Sequence, residues 1–581
     1  MRTSQYLLAT LKEIPKNCTT ISHQLMLRAG LIRQVSSGLY TWLPTGLRVL
    51  RKIENIIREE MSKIGAIEIA MPIVQPARLW KKSGRWTKYG TELLRFKNRN
   101  NQEFVLGPTH EEVVSEIICK KTMLYKQSPL IVYQIHTKYR DEARPRSGVM
   151  RAREFIMKDG YSFHFNQKSL QNTYNNMYQT YHTIFNRIGL NFCVVQADPG
   201  RIGGVLSHEF QAYSENGEDT IATPMIPDND LIDFQLLNDV ISIKMQPKMA
   251  TETMRLVAAP HIKSIEELIN QFNLSIHQVV KTIIVRSKNK HINDNHSLLG
   301  LVIRADHQIS LKKISMIPQV HTPLSCIDPK EMHTITGAQP NLLGPINLSI
   351  PLIVDYNVAT MNDFVAGSNM SGKYFFGVNW NRDIPLLKVA DLSEVLHHNL
   401  YTNKKNILSI HNCIEIGHIF QLGQKYLSLN TNHIKKNNEH KHNFPMEMGC
   451  YGIGITRIVA VIIEQNYDNN GILWPDVIAP FKLAIVPIDM YRSVNVRSIA
   501  EKIYQQLLSV IGIDILIDDR KEYPGTMFAD IDLIGIPHVL IISDRSLANQ
   551  EVEYKYRKKN EIKKIKLEIL MRYLVEKIVS S

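Results

Sequence analysis

The sequence predicts an α+β multidomain chain organised around an antiparallel sheet, and three observations predict it. The run from Ile131 to Met157 alternates side-chain character with a period of two and breaks only at Pro145 and Gly148, which is the pattern of an antiparallel hairpin. Between about 224 and 407 the texture changes to short helices and continuous apolar runs such as LLGLVIRAD at 298–306, a module of normal domain size. From about Ala479 onward, apolar strands and helices alternate in a βαβαβ order, the signature of a small α/β domain. A chain of 581 residues accommodates such a set at roughly 100–200 residues per domain.

Composition narrows the class. Hydrophobic residues at 44% and charged residues at 21% describe an ordinary globular chain. The longest apolar runs, such as IVAVII, are far too short to cross a bilayer, so no membrane is expected. The first residues, MRTSQYLLATLKEIP, lack the apolar core of a secretory signal. Six cysteines without a C-x-x-C read as reduced thiols in a cytoplasmic protein, with neither a disulfide framework nor a zinc site expected. The net charge of +14 favours a polyanionic partner, nucleic acid first; a genome biased toward Lys, Asn and Ile codons would produce the same excess without one.

Taken in order, the chain opens with a polar helical stretch and a turn, GLYTWLPTG. From about Leu47, the residues Leu50, Ile53, Ile57, Met61 and Ile64 form one apolar stripe, which predicts an amphipathic helix ended by Gly65. A strand IEIAMPIV carrying Pro72 follows. This pair reads either as a subunit interface or as a helix covering its own sheet. FVLGPTHEE at 104–112 is a strand end opening a helix, where Thr109 caps the helix or, with Glu111, holds an amine.

The hairpin KYRDEARPRSGVMRAREFIMKD at 138–159 is the chemical centre of the sequence. Arg140 and Glu142 share one face of the incoming strand, and Arg151, Arg153, Phe155 and Met157 one face of the outgoing strand. Planar donors for phosphate beside a ring that can stack on a base suit a nucleotide; a solvated, salt-bridged hairpin is the competing reading. A strand near 206–213 places Glu209 and Gln211 on one face. Far downstream, Gly452-x-Gly454-x-x-Arg457 opens an apolar helix. Its sixth position is Arg rather than Gly, which removes the dinucleotide-fold fingerprint, and no P-loop or Gly-x-Ser-x-Gly nucleophile occurs anywhere. What remains is close backbone approach at the glycines and an arginine at a helix start, a second half of a phosphate site.

As an ordered set, these strings resemble class II aminoacyl-tRNA synthetases. The long helix with Pro72 resembles motif 1, Tyr139–Glu142 with Arg151–Phe155 resembles motif 2, and Gly452–Arg457 resembles motif 3. GPTHEE, RDEARPR, MKDGYSFH, GCYGIGITR, DDRKEYPGTMFAD and EVEYKYR together are similar to the bacterial-type prolyl-tRNA synthetase family, over nearly the whole chain. The resemblance implies a class II antiparallel-sheet catalytic domain in two parts, 1–223 and 408–475. It implies an inserted α/β editing-type domain at 224–407 and a C-terminal α/β anticodon-binding domain at 476–581.

The resemblance also implies a reaction. Proline's carboxylate attacks the α-phosphorus of ATP, and the tRNA(Pro) 3′ end then attacks the acyl carbon of the adenylate; positioning and charge stabilisation suffice. Arg140 is expected on the α-phosphate and the carboxylate, Arg151 and Arg457 on the outer phosphates, Phe155 on adenine, and Gly452 and Gly454 along the nucleotide. Glu142 is expected at the adenine amino group or the tRNA end. Thr109 and Glu111 are expected to bind proline's ammonium, with Tyr161, Phe163 and His164 shaping the ring pocket. Glu209 is expected to ligate the Mg²⁺ that accompanies ATP, and Gln211 to contact ribose or proline. A homodimer is expected, using the motif 1 helix.

In the editing-type domain, Lys281 and Asp355 match the family's functional positions. The loop expected as Gly-Pro-Gly-Ser-Leu-Gly-Pro instead reads Gln339-Pro340-Asn341-Leu342-Leu343-Gly344-Pro345, and Tyr374 stands where a histidine is usual. Weakened or absent hydrolysis of alanyl-tRNA is the expectation. Two rival readings compete with this one. A non-catalytic paralogue would lose the phosphate arginines, and all three are present. A different class II synthetase, such as threonyl or glycyl, is the nearer rival; a threonyl enzyme would want a zinc site, and no suitable Cys/His cluster occurs.

Overall fold

The computed structural model describes residues 1–579 except 16–17, 120–128, 198–201, 218, 225–249, 263, 288–297, 316, 318, 322–323, 325–326, 328–330, 332–341, 349, 387, 391, 395–400, 403–405, 428–445 and 560. Two compact units result: Met1–Ile221 with His411–Ser581, and Ala222–Ile410.

In the first unit, α1 (Pro44–Lys63) starts with Pro at its first turn, where the missing N–H costs nothing. Leu50, Ile53, Ile57 and Met61 of its stripe are fully buried in the chain's own core. The stripe therefore covers its own sheet, and the interface reading of this helix is corrected: no apolar face is left over. The IEIAMPIV strand is also shorter than expected. It breaks around Pro72 into β1 (Ile67–Glu68) and Val74–Pro76, because the ring cannot donate to a ladder.

The central sheet is built from β2 (Leu130–Tyr139), β3 (Glu154–His164), β4 (Phe192–Gln196), β5 (Leu206–Tyr213), β6 (Asn406–Gly423) and β7 (Glu447–Gly454). Its order is β1-β2-β3-β7-β6-β5-β4, antiparallel throughout except for the parallel β1–β2 pair. β2 and β3 pair from Leu130↔Phe163 to Tyr139↔Glu154. The even residues of β2 and the odd residues of β3 thus share one face. The other face of β3 lies under α2 (Gln167–Ile188), whose Tyr181 hydroxyl accepts from Lys158 Nζ at 2.9 Å. α3 (Ile455–Gln465) leaves the end of β7 and is buried along most of its length.

The C-terminal part of this unit is a five-stranded sheet of β8 (Leu483–Pro487), β9 (Ile515–Ile517), β10 (His538–Ile542), β11 (Glu551–Tyr556) and β12 (Glu561–Lys566). Its order is β9-β8-β10-β11-β12, with the first three strands parallel. A helix at Val494–Ile511 lies between β8 and β9, one at Pro524–Ile534 between β9 and β10, and one at Leu567–Val579 after β12.

The second unit holds two small sheets. One orders Val280–Arg286, Leu298–Arg304, Leu352–Asp355 and Val389–Ala390; the other orders Arg255–Ala258, Lys373–Val378 and Phe364–Gly367. The apolar run at 350–360, IPLIVDYNVAT, reads as a buried strand but gives only four strand residues, then turns helical at Tyr356–Ala359. Gly344 and Gly367 touch backbone to backbone: a Cβ on Gly344 would stand 1.7 Å from the Gly367 carbonyl oxygen.

Candidate active site

The hairpin's regular ladder ends earlier than its sequence suggests. Arg140 N–H still donates to the Arg153 carbonyl at 2.9 Å, but Asp141 N–H goes to Glu92 and Glu142 N–H to Arg140. Residues 140–153 are therefore a loop with one 3₁₀ turn, and Glu142 and Arg151 are not strand residues as expected. Side chains close this loop. Arg151 forks the Glu142 carboxylate at 2.9 and 3.2 Å, and Arg153 Nε donates to the Glu142 carbonyl at 3.0 Å. Arg140 lies with its guanidinium carbon 5.1 Å from the Phe155 ring centre, and its buried Nε has no hydrogen-bond partner.

The motif-3-like segment joins from the other side. β7 pairs with β3 from Glu447↔His164 to Gly454↔Met157, so Gly452 lies beside the hairpin. A Cβ on Gly452 would stand 2.4 Å from Met157 Cε, so a side chain there would have to displace the end of Met157. Gly454 precedes α3 and its Cβ position meets only Arg457. Arg457 ties the site together: its Nε donates to the Met150 carbonyl at 3.0 Å and a terminal nitrogen to the Glu415 carbonyl at 2.7 Å.

Beyond it, Glu209, Glu415 and His418 bring one ligand atom each within 4.8 Å of one another. His418 Nδ1 is 3.1 Å from Glu415 and 3.6 Å from Glu209. Gln211 Nε2 donates to Glu209 at 2.9 Å and to Asp219 at 3.1 Å. Burial and the charge of Glu415 push the Glu209 carboxyl up. Burial opposes ionisation of Glu415 too, but the bond from His418 and the charges of His418, Arg457 and Arg140 outweigh it and hold this carboxyl low. Two carboxylates with an imidazole nitrogen suit a small divalent cation.

At the other end of the face is a buried polar cluster. Thr109 does not cap its helix; its hydroxyl donates to the Glu111 carboxylate at 2.7 Å. Cys450 Sγ reaches the same carboxylate at 3.3 Å. Arg85, 2% exposed, bridges Glu111 at 2.9 Å and Glu112 at 3.0 Å under the rings of Trp80 and Tyr89. Burial raises Glu112, and Glu111 is held low against its own burial by Arg85 and Thr109.

A second network braces this cluster. Lys138 Nζ is 2.7 Å from Asp159 and 3.0 Å from His110 Nδ1. Tyr161 hydroxyl donates to Asp159 at 2.7 Å and accepts the His110 backbone N–H at 3.1 Å. His110 Nε2 bonds the Pro72 carbonyl at 3.0 Å, which leaves Nδ1 to accept from lysine. Burial first, then the Lys138 charge, lowers His110 to about 4.

Thr109, Glu111, Tyr161 and Phe163 are thus gathered with Arg140 and Phe155 on one face. His164 is not. It points to the opposite face, where its ring bonds Ser162 and Ser169 at 2.8 and 2.9 Å, because residues one apart on a strand face opposite ways. Arg85, His110, Lys138, Asp159, Cys450, Glu415 and His418 were missed. Lys138 and Asp159 carried a signal, being charges on the apolar-alternating face; Arg85 carried none, since its partners lie 26 and 27 residues away.

In the second unit, Lys281 Nζ donates to the Ala305 carbonyl at 2.9 Å. Asp355 is fully buried and saturated. One oxygen accepts from Leu392 N, Ser393 N and Ser393 Oγ, and the other from Asn357 N and Nδ2. Leu342 and Tyr374 are buried in one apolar cluster, and the Tyr374 hydroxyl has no partner. Gln339 and Asn341 lie outside the described residues.

Comparison with known proteins gives the family. The family described as "tRNA synthetase class II core domain (G, H, P, S and T)" matches residues 94–466, and the "Anticodon binding domain" family matches 482–577. A proline–tRNA ligase of Blochmanniella pennsylvanica is 89% identical over 581 residues, covering all of both chains. One from Blochmanniella floridana is 54% identical over 590 residues, again covering all of both. The chain belongs to the proline–tRNA ligase family of class II aminoacyl-tRNA synthetases.

Proposed function

We propose that the hairpin face described above is the place where this ATP-dependent ligase activates proline and passes it to tRNA. One observation carries the reading: Arg140 offers a buried, unpartnered Nε beside Phe155, between an anionic clamp at Glu111 and an acidic pair at Glu209 and Glu415. An α-amino acid and ATP need those three environments in that order. Proline's ammonium goes to Glu111 and Thr109, its ring against Tyr161 and Phe163. Its carboxylate and the α-phosphate share Arg140, and adenine stacks on Phe155 between the hairpin and the open edge at Gly452 and Gly454.

Arg151 and Arg457 turn from their present partners, Glu142 and two carbonyls, to the outer phosphates; Glu142 and Gln211 then meet the base and the ribose. Glu209 and Glu415 would hold the Mg²⁺ of the ATP complex, which neutralises phosphate charge. The chain's own contribution is alignment: carboxylate and phosphorus are held in line by one guanidinium, and no protein nucleophile is needed. The location is cytoplasmic, where ATP and tRNA(Pro) meet, and among the described residues no helix is long and apolar enough to cross a membrane. Self-association as a homodimer uses the exposed Ile67 and Val74 flanking Pro72 rather than the α1 stripe.

The inserted unit keeps its fold without efficient hydrolysis of alanyl-tRNA. Asp355 has no lone pair left to orient water, and Leu342 and Tyr374 occupy apolar space with side chains. Proline-dependent exchange of pyrophosphate into ATP tests the central reading; faster exchange with another amino acid, or none with proline, refutes it.

A further inference from the structure

The first residues of the chain do something the active site does not use. Strand β9 is the edge of the C-terminal sheet, and its free side is taken by residues 1–4. Arg2 forms a parallel bridge with Ile517, and Ile517 N–H donates to the Met1 carbonyl at 2.9 Å. Arg2 forks Glu501 at 2.9 and 2.6 Å. Thr3 Oγ1, in a residue 5% exposed, donates to Asp518 at 2.9 Å and accepts Asp519 N–H at 3.0 Å. Ser4 gives Asp519 both its backbone N–H, at 2.8 Å, and its hydroxyl, at 2.7 Å.

The same short segment is anchored at its other end in the main core, against residues of both the catalytic and the C-terminal parts. Tyr6 packs edge-on against Phe481 at 5.4 Å, its hydroxyl is 3.2 Å from Thr45 Oγ1 of α1, and Leu8 is buried in the main core.

The residues it grips begin a loop with a distinctive outer surface. Asp518 forks Arg520 at 2.9 and 2.7 Å, and Arg520 also reaches Asp530 at 2.9 Å, so the loop's inner side is fixed. On the outside, Tyr523 is 83% exposed and Tyr491, whose hydroxyl bonds the Asp519 carbonyl, is 50% exposed. Arg492, Lys521 and Glu522 are exposed beside them. Two open rings with two cations, at the carboxyl ends of parallel strands β8 and β9, suit unstacked bases and phosphates of single-stranded RNA. The domain matches an anticodon-binding family, so the RNA is the tRNA anticodon loop.

We propose that Arg2, Thr3 and Ser4 are positioning residues for tRNA: they hold the Asp518–Tyr523 loop in its RNA-receiving shape and thereby set tRNA affinity from the far end of the sequence. They touch neither proline nor ATP. The inference rests on the family's tRNA-charging reaction and adds a role for residues outside its catalytic centre.

The test uses the full-length protein with Thr3→Val and Ser4→Ala combined, which removes the hydroxyl bonds to Asp518 and Asp519 and leaves the Ser4 backbone N–H on Asp519 and the bridge to Ile517. The KM for tRNA(Pro) should rise roughly five- to tenfold with kcat within about twofold, while proline-dependent pyrophosphate exchange stays within about twofold. An isolated anticodon stem-loop should lose affinity by the same factor. Arg2→Ala, which spares those bonds, should move tRNA KM less than the pair. An unchanged tRNA KM overturns the proposal. So does a fall in exchange that parallels the fall in aminoacylation, since that would mean general unfolding rather than positioning. Absence of proline-dependent exchange in the wild-type protein, measured alongside, would instead contradict the ligase reading itself.

Discussion

Arg85→Met is the sharpest perturbation of the amine clamp. The guanidinium is one positive charge between two buried carboxylates, with side chains 3%, 1% and 2% exposed for Arg85, Glu111 and Glu112. At 2.9 Å and an effective dielectric near 20, each contact is worth about 6 kcal/mol of Coulomb attraction, most of it returned as desolvation. Methionine keeps the volume under Trp80 and Tyr89 but strands both carboxylates, so the cost is that of an uncompensated buried charge, about 3–5 kcal/mol. Against a total stability of about 5–15 kcal/mol this is large but survivable.

Denaturant unfolding should register that loss, and Glu112→Gln added to Arg85→Met should recover part of it. The second consequence is chemical. Glu111, now held low, loses its largest favourable charge and rises above the ordinary carboxylate range. It must be ionised to hold an ammonium. Proline kcat/KM of the variant should therefore climb with pH above the ordinary carboxylate range, where the wild type is flat, and the ATP KM should change little. A variant within 1 kcal/mol of wild type with a flat profile would refute the argument, because it would mean the cluster is not desolvated.

Three further outcomes follow from the same geometry. Arg140→Ala should cut proline-dependent exchange by at least about a hundredfold while leaving tRNA binding within about threefold, as measured by filter binding. The native state keeps His110 and His164 neutral, each lowered to about 4 by burial, whereas the unfolded chain takes up those protons near 6.5. Stability is therefore complete above about pH 6.5 and is lost as pH falls toward 4, by about 3 kcal/mol for each ring; His110→Gln should remove about half of that slope in acid denaturation. Alanyl-tRNA(Pro) should be hydrolysed no faster in the protein's presence than in buffer, and Tyr374→His alone should not restore hydrolysis while Leu342 stays; enzyme-dependent deacylation would contradict this.

The faces of the hairpin were legible because a strand has only two, and the period assigns them without knowledge of the fold. Arg140, Phe155 and Tyr161 fall together for that reason, and His164 departs for the same reason once the parity is applied strictly. Where the strand ends was not legible. Asp141 donates to Glu92, a residue of an unrelated turn, and no local pattern announces that. The α1 stripe was legible as a stripe, but burial against the chain's own core and burial against a partner demand the same residues. Arg85 sits in KKSGRWTKYG, with no periodicity and no neighbour of opposite charge. Its meaning appears only when the helix carrying Glu111 and Glu112 is laid across it.

The order of strands in the central sheet also sets a timetable for synthesis. β3 lies between β2, made just before it, and β7, made nearly 300 residues later. At about 5–20 residues per second, one edge of β3 waits some fifteen seconds to a minute on the ribosome for its partner. An apolar edge left open so long invites pairing with other nascent chains. On this strand the inward side presents Lys158, Ser162 and His164, and a lysine aimed inward is a known deterrent to edge-to-edge pairing. In the finished protein Lys158 is fully buried and burial drops it to about 7. The residue that guards the half-made sheet is thereby retired: it can shed its charge once β7 arrives.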